Sequence, residues 1–426
     1  MAAARDPVAE IIAVCKVHRG EEHRVPHEGL ERDLTVEALR RKIDALASGS
    51  FPFLRGTFHV MATDLFQGRV PGAGPVAPEG LIVGDVHLEN FGTYRGASGA
   101  ICFDVNDFDE VGWGPLDLDL RRLCTSAMLL PGIGREQRLA AARELAQAWA
   151  EAVERLGGRF PIPSWSLDKA EGWLQQLLRE KGRRTEMDLV AKAAPEKGHR
   201  RFGEDGDPPK FAHAADPWPH MVETALGEYY DHLKQLKADT PGKGWKLLDV
   251  AYRFKGTGSL GRLRFAALLG NGEERMLLEL KEAAPSTMEL ARGRNTLLAQ
   301  RARVQTAAIR RLQGDPWPRV AGTHLSKLPA LGREIQPEEE KLGCSRFAAA
   351  QDGGHEQLIT YARQCGEVLG RLHCRVNAPA MLDAAWDPLE TARSAVSFAE
   401  SYAAVVEADW RAYVQARSRV VRELGV

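Results

Sequence analysis

Apolar residues recur at three- and four-residue intervals through "GLERDLTVEALRRKIDALAS" at 29–48, a spacing that predicts an amphipathic helix. "FPFLRGTFHVMATDLF" follows, and its proline and glycine predict an entry turn before a second helix; "QGRVPGAGPVAPEG" at 67–80 predicts a loop. "LIVGDVHLENFG" and "ICFDVNDFD" read as two short strands joined by the Gly-Ala-Ser-Gly turn at 96–99, with acids at the strand ends. The period becomes helical again from 115 to about 156, and helices with one polar loop continue to about 240. That loop, 179–209, is rich in bases, glycine and proline, and reads as a mobile surface excursion or a substrate-binding lid, solvated charge being the commoner case.

After Trp245 the pattern alternates through "LLDVAYRFKGTGSLGRLRFAALLGNGEERMLLELKEA", which predicts strands with "GNGEE" as a hairpin turn. Helices return in "STMELARGRNTLLAQRARVQTAAIRRL", then a proline-punctuated strand-like region runs to about 342, and helices close the chain. No internal repeat is visible. The expected division is 1–245, 246–342 and 343–426.

Composition narrows the class. The 426 residues are 44% hydrophobic and 27% charged, values that argue against disorder, collagen-like repeats and coiled coils. Lys+Arg at 57 nearly cancels Asp+Glu at 58, so nothing global calls for nucleic acid or an anionic membrane as partner. Apolar runs are broken by charge well before the roughly 18 residues of a membrane span, and the N-terminal apolar run is too short for a signal-peptide core. Six scattered cysteines without a C-x-x-C pair suit a reducing compartment. The expectation is a soluble, cytoplasmic protein; its oligomeric state is not legible.

Three constellations carry chemistry. Asp85, His87, Asn90 and Asp107 cluster around a short hairpin, and an Asp five residues before an Asn, with a second Asp on the next strand, suits phosphoryl transfer to a hydroxyl. Asp85 would accept the hydroxyl proton, while Asn90 and Asp107 would supply hard oxygens to Mg²⁺. Taken singly, each is as well read as a turn former at a strand end. Second, "KGTGSLGRLRF" sets Gly256, Gly258 and Gly261, with Ser259 between them, in G-x-G-x-x-G register. A strand pattern continues after Gly261, which predicts a kinase-type glycine hairpin closing over phosphates instead of a strand-to-helix dinucleotide loop. Third, Lys281 stands in an apolar strand, where it needs an anionic partner. Phosphates and a glutamate on the next helix would serve, Glu289 being the first candidate and Glu282 the second; the bland reading is a lysine snorkelling from an edge strand.

Together these residues resemble a protein-kinase-like phosphotransferase. "GDVHLEN" is similar to the G-D-x-H-x-x-N catalytic loop of the aminoglycoside phosphotransferase and choline kinase group, and "NDFDEVGWGPLDLDL" resembles its metal-binding strand, with Asp107 and Asp119. The glycine loop and Lys281 follow Asp85 by about 170 residues or more, whereas in ordinary kinases they precede the catalytic loop, so the resemblance implies a circular permutation. The series "FPFLRG", "GDVHLENFG", "NDFDE", "KGTGSLG", "LKEA" and "REIQP" is similar to the bacterial family catalogued as domain of unknown function 2252, over roughly 45–375.

The resemblance implies an α+β, two-lobed protein-kinase-like fold and an ATP- and Mg²⁺-dependent transfer of phosphate to a hydroxyl of a small molecule. Asp85 and His87 would be catalytic, His87 as organiser of the loop. Asn90 and Asp107 would hold metal, and Gly256, Gly258, Ser259, Gly261, Lys281 and Glu289 would hold the nucleotide. "LGREIQPEEEKL" is expected at the hinge, and both "YARQCGEVLGRLHCR" and "FHVMATDLF" compete for the helix before the catalytic loop. Val83 replaces the histidine common before that loop. Arg55 either clamps a substrate anion or pairs with a carboxylate, the second being commoner; His59, His324 and His373 read as structural. The acceptor pocket is expected in the insert near 160–245. Two other readings stay open: a nucleotide-binding pseudokinase or scaffold, and transfer of AMP from the same cleft.

Overall fold

The computed structural model describes residues 5–18, 32–166, 170, 172–196, 198–203, 209–291, 300–349, 354–382 and 385–426. In chain order its strands are β1 (Glu79–Ile82), β2 (Phe91–Arg95), β3 (Ile101–Val105), β4 (Gly112–Pro115), β5 (Trp165–Ser166) and β6 (Phe211–His213). They continue as β7 (Lys246–Arg253), β8 (Arg264–Asn271), β9 (Glu274–Glu282), β10 (Val320–Leu325), β11 (Leu328–Glu334) and β12 (Glu340–Lys341). All pairings are antiparallel, in a six-stranded sheet of order β10-β11-β9-β8-β7-β6, a four-stranded sheet of order β12-β2-β3-β5 and a β1-β4 ribbon. The class is α+β, as expected. No helix among the described residues is long and apolar enough to cross a membrane.

Period-2 geometry explains how the large sheet serves two purposes. Met276, Leu278 and Leu280 of β9 share a face with Phe265, Ala267 and Leu269 of β8, and pack on the helix Trp218–Gln235 through Val222, Ala225 and Tyr229. On the opposite face Leu277, Ala266 and Leu268 meet Val190, Ala193 and Phe202. Toward the cleft the same face continues as Arg264, Glu279, Lys281 and Arg333, all at least nine-tenths buried. The second core is helical: Arg135–Leu156 and Gly354–Val376 pack together with Leu116–Met128 and Pro388–Gln415 around Trp149, Leu123, Leu369 and Tyr402.

Four expectations are corrected. "FPFLRG" is itself helical, Ser50–Gly56, because Pro52 falls in the first turn, where a missing N–H costs nothing. "LIVGDVHLENFG" is not one strand: β1 ends at Ile82, the chain turns, and a single 3₁₀ turn, Leu88–Asn90, precedes β2. The described part of 179–209 is no loose excursion, since its helix Glu186–Ala193 buries Val190 and Ala193 against the sheet. Finally, β6 and the helix Trp218–Gln235 belong with the large sheet, so that unit begins well before 246.

Candidate active site

The turn carrying Asp85 is fixed from below. Gly84 has φ +92, and a Cβ there would stand 2.5 Å from the Glu110 carbonyl oxygen, so the position requires glycine. The Val83 and Gly84 N–H groups each donate to Asp119 at 2.8 Å. His373 Nε2 donates to the same carboxylate at 3.1 Å, its tautomer set by the Trp149 indole N–H donating to Nδ1 at 3.1 Å. Asp119 and His373 are fully buried, so this aspartate anchors the loop, and His373 is structural as read.

Above that anchor stand the remaining polar groups of the two turns. Arg122 donates to Asp85 Oδ1 from Nε at 3.0 Å and Nη2 at 2.5 Å. Burial raises the Asp85 carboxyl to about 6 although Arg122 opposes the shift. His87 Nδ1 accepts from the Glu89 N–H at 3.2 Å, capping the 3₁₀ turn. Burial, with Arg55 and Lys341 nearby, pushes His87 well below its ordinary range, so it stays neutral and organises the loop. Asn90 Nδ2 donates to the Asp85 carbonyl at 2.6 Å, while its Oδ1 is buried with no partner among the described residues. Burial disfavours ionised Asp107, yet Lys341, Lys281 and Arg264 outweigh it and hold the carboxyl below its usual range. Lys341 Nζ donates to Asp107 Oδ2 at 2.8 Å.

The glycine segment is the hairpin between β7 and β8, with Gly256 at φ +83 and Gly261 at φ +99. Lys42 Nζ, from the helix Arg32–Ala47, donates to the Gly258 carbonyl at 2.8 Å and holds the loop down. A Cβ at Gly258 would be 3.9 Å from Asp85 Oδ2, so the loop passes directly over the carboxylate, and Ser259 lines the same space. Lys281 lies opposite Arg264 in the β8-β9 register and its ammonium bonds Asp109.

Glu289 does not meet Lys281. Its carboxylate accepts from the Ser286 N–H at 2.8 Å while Ser286 Oγ accepts from the Glu289 N–H at 3.3 Å, a capping box that starts the helix Thr287–Ala291, and it also faces Arg301 at 3.3 Å. Glu282 is spent on the Leu263 N–H at 3.0 Å. Sequence reasoning missed Asp109, Arg122, Lys42 and Lys341. The signal for two of them was present: N-D-F-D places Asp107 and Asp109 on one side at strand spacing, and "LDLDLRRLCTSAMLL" sets two arginines inside an apolar helix.

Asp85, His87, Asn90 and Asp107 converge with Gly256–Ser259 on one cavity of about 400 Å³, which Val14 and Phe58 also wall; Gly261, Lys281 and Glu289 do not line it. Arg55 pairs with Glu89 at 2.5 Å and borders the cavity, which accords with the commoner of its two readings. The described residues of 160–245 do not line it; Lys181 and Arg184 of the basic segment pair with Glu340 instead, and the far wall comes from the helices Pro7–His18 and Phe58–Phe66. Among the described residues no three His, Cys, Asp or Glu side chains converge as a metal cage.

A family model described as an uncharacterized protein conserved in bacteria (DUF2252) matches residues 34–416. The chain belongs to that family. The match to DUF2252 spans the whole cavity lining except the N-terminal helix, and extends beyond the 45–375 suggested by the motifs. No curated protein and no solved structure matches the chain.

Proposed function

We propose that this DUF2252 protein is a phosphotransferase that moves the terminal phosphoryl group of ATP to a hydroxyl of a small molecule, on a circularly permuted, two-lobed kinase-like frame. One observation carries the reading: a single cavity is lined both by the glycine hairpin and by Asp85, Asn90 and Asp107, segments far apart in the chain. The placement of Lys281 supports it, since the lysine sits on the third strand counting from the hairpin's first, as in protein kinases.

The donor set fits Mg²⁺. Asn90 Oδ1 is a buried hard oxygen without a partner among the described residues, Asp107 is a carboxylate lining the same cavity, and Mg²⁺ ordinarily takes one or two carboxylates plus waters and phosphate oxygens, with no all-protein cage. When bound, the ion neutralises charge on the phosphates. The remaining work falls to the chain. Backbone N–H groups of 256–259 hold phosphate oxygens, and Lys281 adds a positive charge. Arg122 occupies Asp85 Oδ1 and leaves Oδ2 facing the loop to orient the acceptor. The acceptor oxygen bonds the terminal phosphorus as the bridging P–O bond breaks, its proton passes to Asp85, and ADP departs with the electron pair.

The test is thermal unfolding of the purified protein with ATP, with and without Mg²⁺, repeated on Asp107→Ala. A Mg²⁺-dependent rise in melting temperature that the variant loses is expected; at a hundredfold excess over Kd the stabilisation is about 2.7 kcal/mol. No rise with any nucleotide sinks the phosphotransferase reading and leaves the scaffold.

A further inference from the structure

Behind the glycine hairpin, where the sheet meets the segment after β3, lies a second and much smaller cavity of about 50 Å³. That is room for one or two waters at about 30 Å³ each, against about 300 Å³ or more for pockets that enclose an organic ligand. Its lining is mixed: Phe108, Ile309, Trp317 and Leu331 are apolar, and most of the rest is charged. The bases are Lys255, Arg264, Lys281, Arg333 and Lys341. The acids are Asp107, Asp109, Glu279 and Glu339, and a further base, Arg253, reaches Glu279 from outside the lining.

The charges interlock. Arg264 donates to both Glu279 oxygens, at 2.7 and 3.0 Å, and Arg333 to both Glu339 oxygens, at 2.7 and 3.1 Å. Lys255 stands 3.6 Å from Glu339. The Trp317 ring, a flat surface on which a base would stack, is covered by the Arg333 guanidinium at 4.5 Å. A neutral aromatic base entering here would have to part buried ion pairs and leave charges uncompensated, which is costly. An anion is favoured by the one-charge excess of bases over acids in the lining, and Asn106, only 5% exposed, has neither side-chain atom partnered among the described residues. Asp107, Asp109, Gly256 and Lys341 border both cavities, so an anion lying under the glycine hairpin is within reach of the inner bases.

We propose that the donor is held through its phosphate chain, with no slot for a base between the six-stranded sheet and the β3–β4 segment. The donor class is therefore a terminal polyphosphate whether or not it carries a nucleoside. This deepens the phosphotransferase reading and rests on it. The test is isothermal titration of the full chain in Mg²⁺ with ATP, GTP and inorganic tripolyphosphate, and with adenosine as competitor. Tripolyphosphate binding within about tenfold of ATP, GTP matching ATP within about threefold, and no displacement by adenosine are expected. ATP binding more than about a hundredfold tighter than tripolyphosphate, or displacement of ATP by adenosine, overturns this inference and leaves the phosphotransferase reading standing. Binding of none of the phosphate compounds overturns both.

Discussion

Two buried polar clusters meet at the Asp85 turn. Below it, Asp119 receives two backbone N–H groups and the His373 imidazole, which in turn receives Trp149, so the hydrogen bonds close on one another. Above it, Asn90 Oδ1 and both side-chain atoms of Asn106 are buried without partners among the described residues, next to carboxylates held by lysines. Burying an unpartnered amide atom costs about 1–3 kcal/mol, and three such atoms fall beside the acids of the upper cluster. The lower cluster closes on itself, and the upper one is the cluster to which the proposed function assigns the phosphates and metal.

The sharpest way to break that contrast is Asp85→Asn. The amide oxygen still accepts from Arg122, so unfolding temperature should change little, while ADP formation falls about 10²–10⁴-fold, the usual loss of a general base. An Asp85→Asn protein of undiminished turnover would remove Asp85 from the chemistry. Asp119→Ala should do the reverse: two buried N–H groups and the His373 donor lose their acceptor, costing roughly 3 kcal/mol or more in denaturant titration. A variant as stable as the parent would show that the lower cluster is not the anchor.

Acidity gives a smaller, graded effect. In the proposed mechanism Asp85 works ionised and burial raises its carboxyl to about 6, so turnover should fall about tenfold per pH unit below that value and level off above it. A bound Mg²⁺ would move this limb lower, and Asp85→Asn should lack it. The smallest effect belongs to Asn106→Ala, which removes groups that satisfy nothing among the described residues. Stability should change by less than about 1 kcal/mol while the Mg²⁺-ATP thermal shift shrinks; a loss as large as that of Asp119→Ala would erase the distinction between the clusters.

Legibility followed the range of the interactions. The glycine hairpin was readable because alternation continues on both sides of Gly256 and Gly261, and the Asp85–Asn90 turn because its residues are near neighbours in sequence. The partner of Lys281 was not readable. A glutamate on the next helix was the natural choice, but Ser286 three residues before Glu289 makes a local capping box that takes that carboxylate, and Asp109 arrives from a distant segment. The surface-excursion reading of 179–209 failed for a related reason. Its charges dominate the composition, whereas Val190 and Ala193, spaced to face the sheet, decide the packing.

By itself the sequence determined the local shapes: antiparallel strands from period 2, helices from period 3.6, the glycine turn from residues that tolerate positive φ, and the acids held near one another by a short hairpin. Only the tertiary structure decided which of those acids face the glycine loop, that Arg122 and Lys42 fix the two sides of the cavity, and that the inner cleft is filled by ion pairs. Those outcomes depend on segments from 37 residues apart, for Asp85 and Arg122, to 216 apart, for Lys42 and Gly258, meeting in a water-poor interior. There the burial of each charge is settled by whichever opposite charge the fold brings to it.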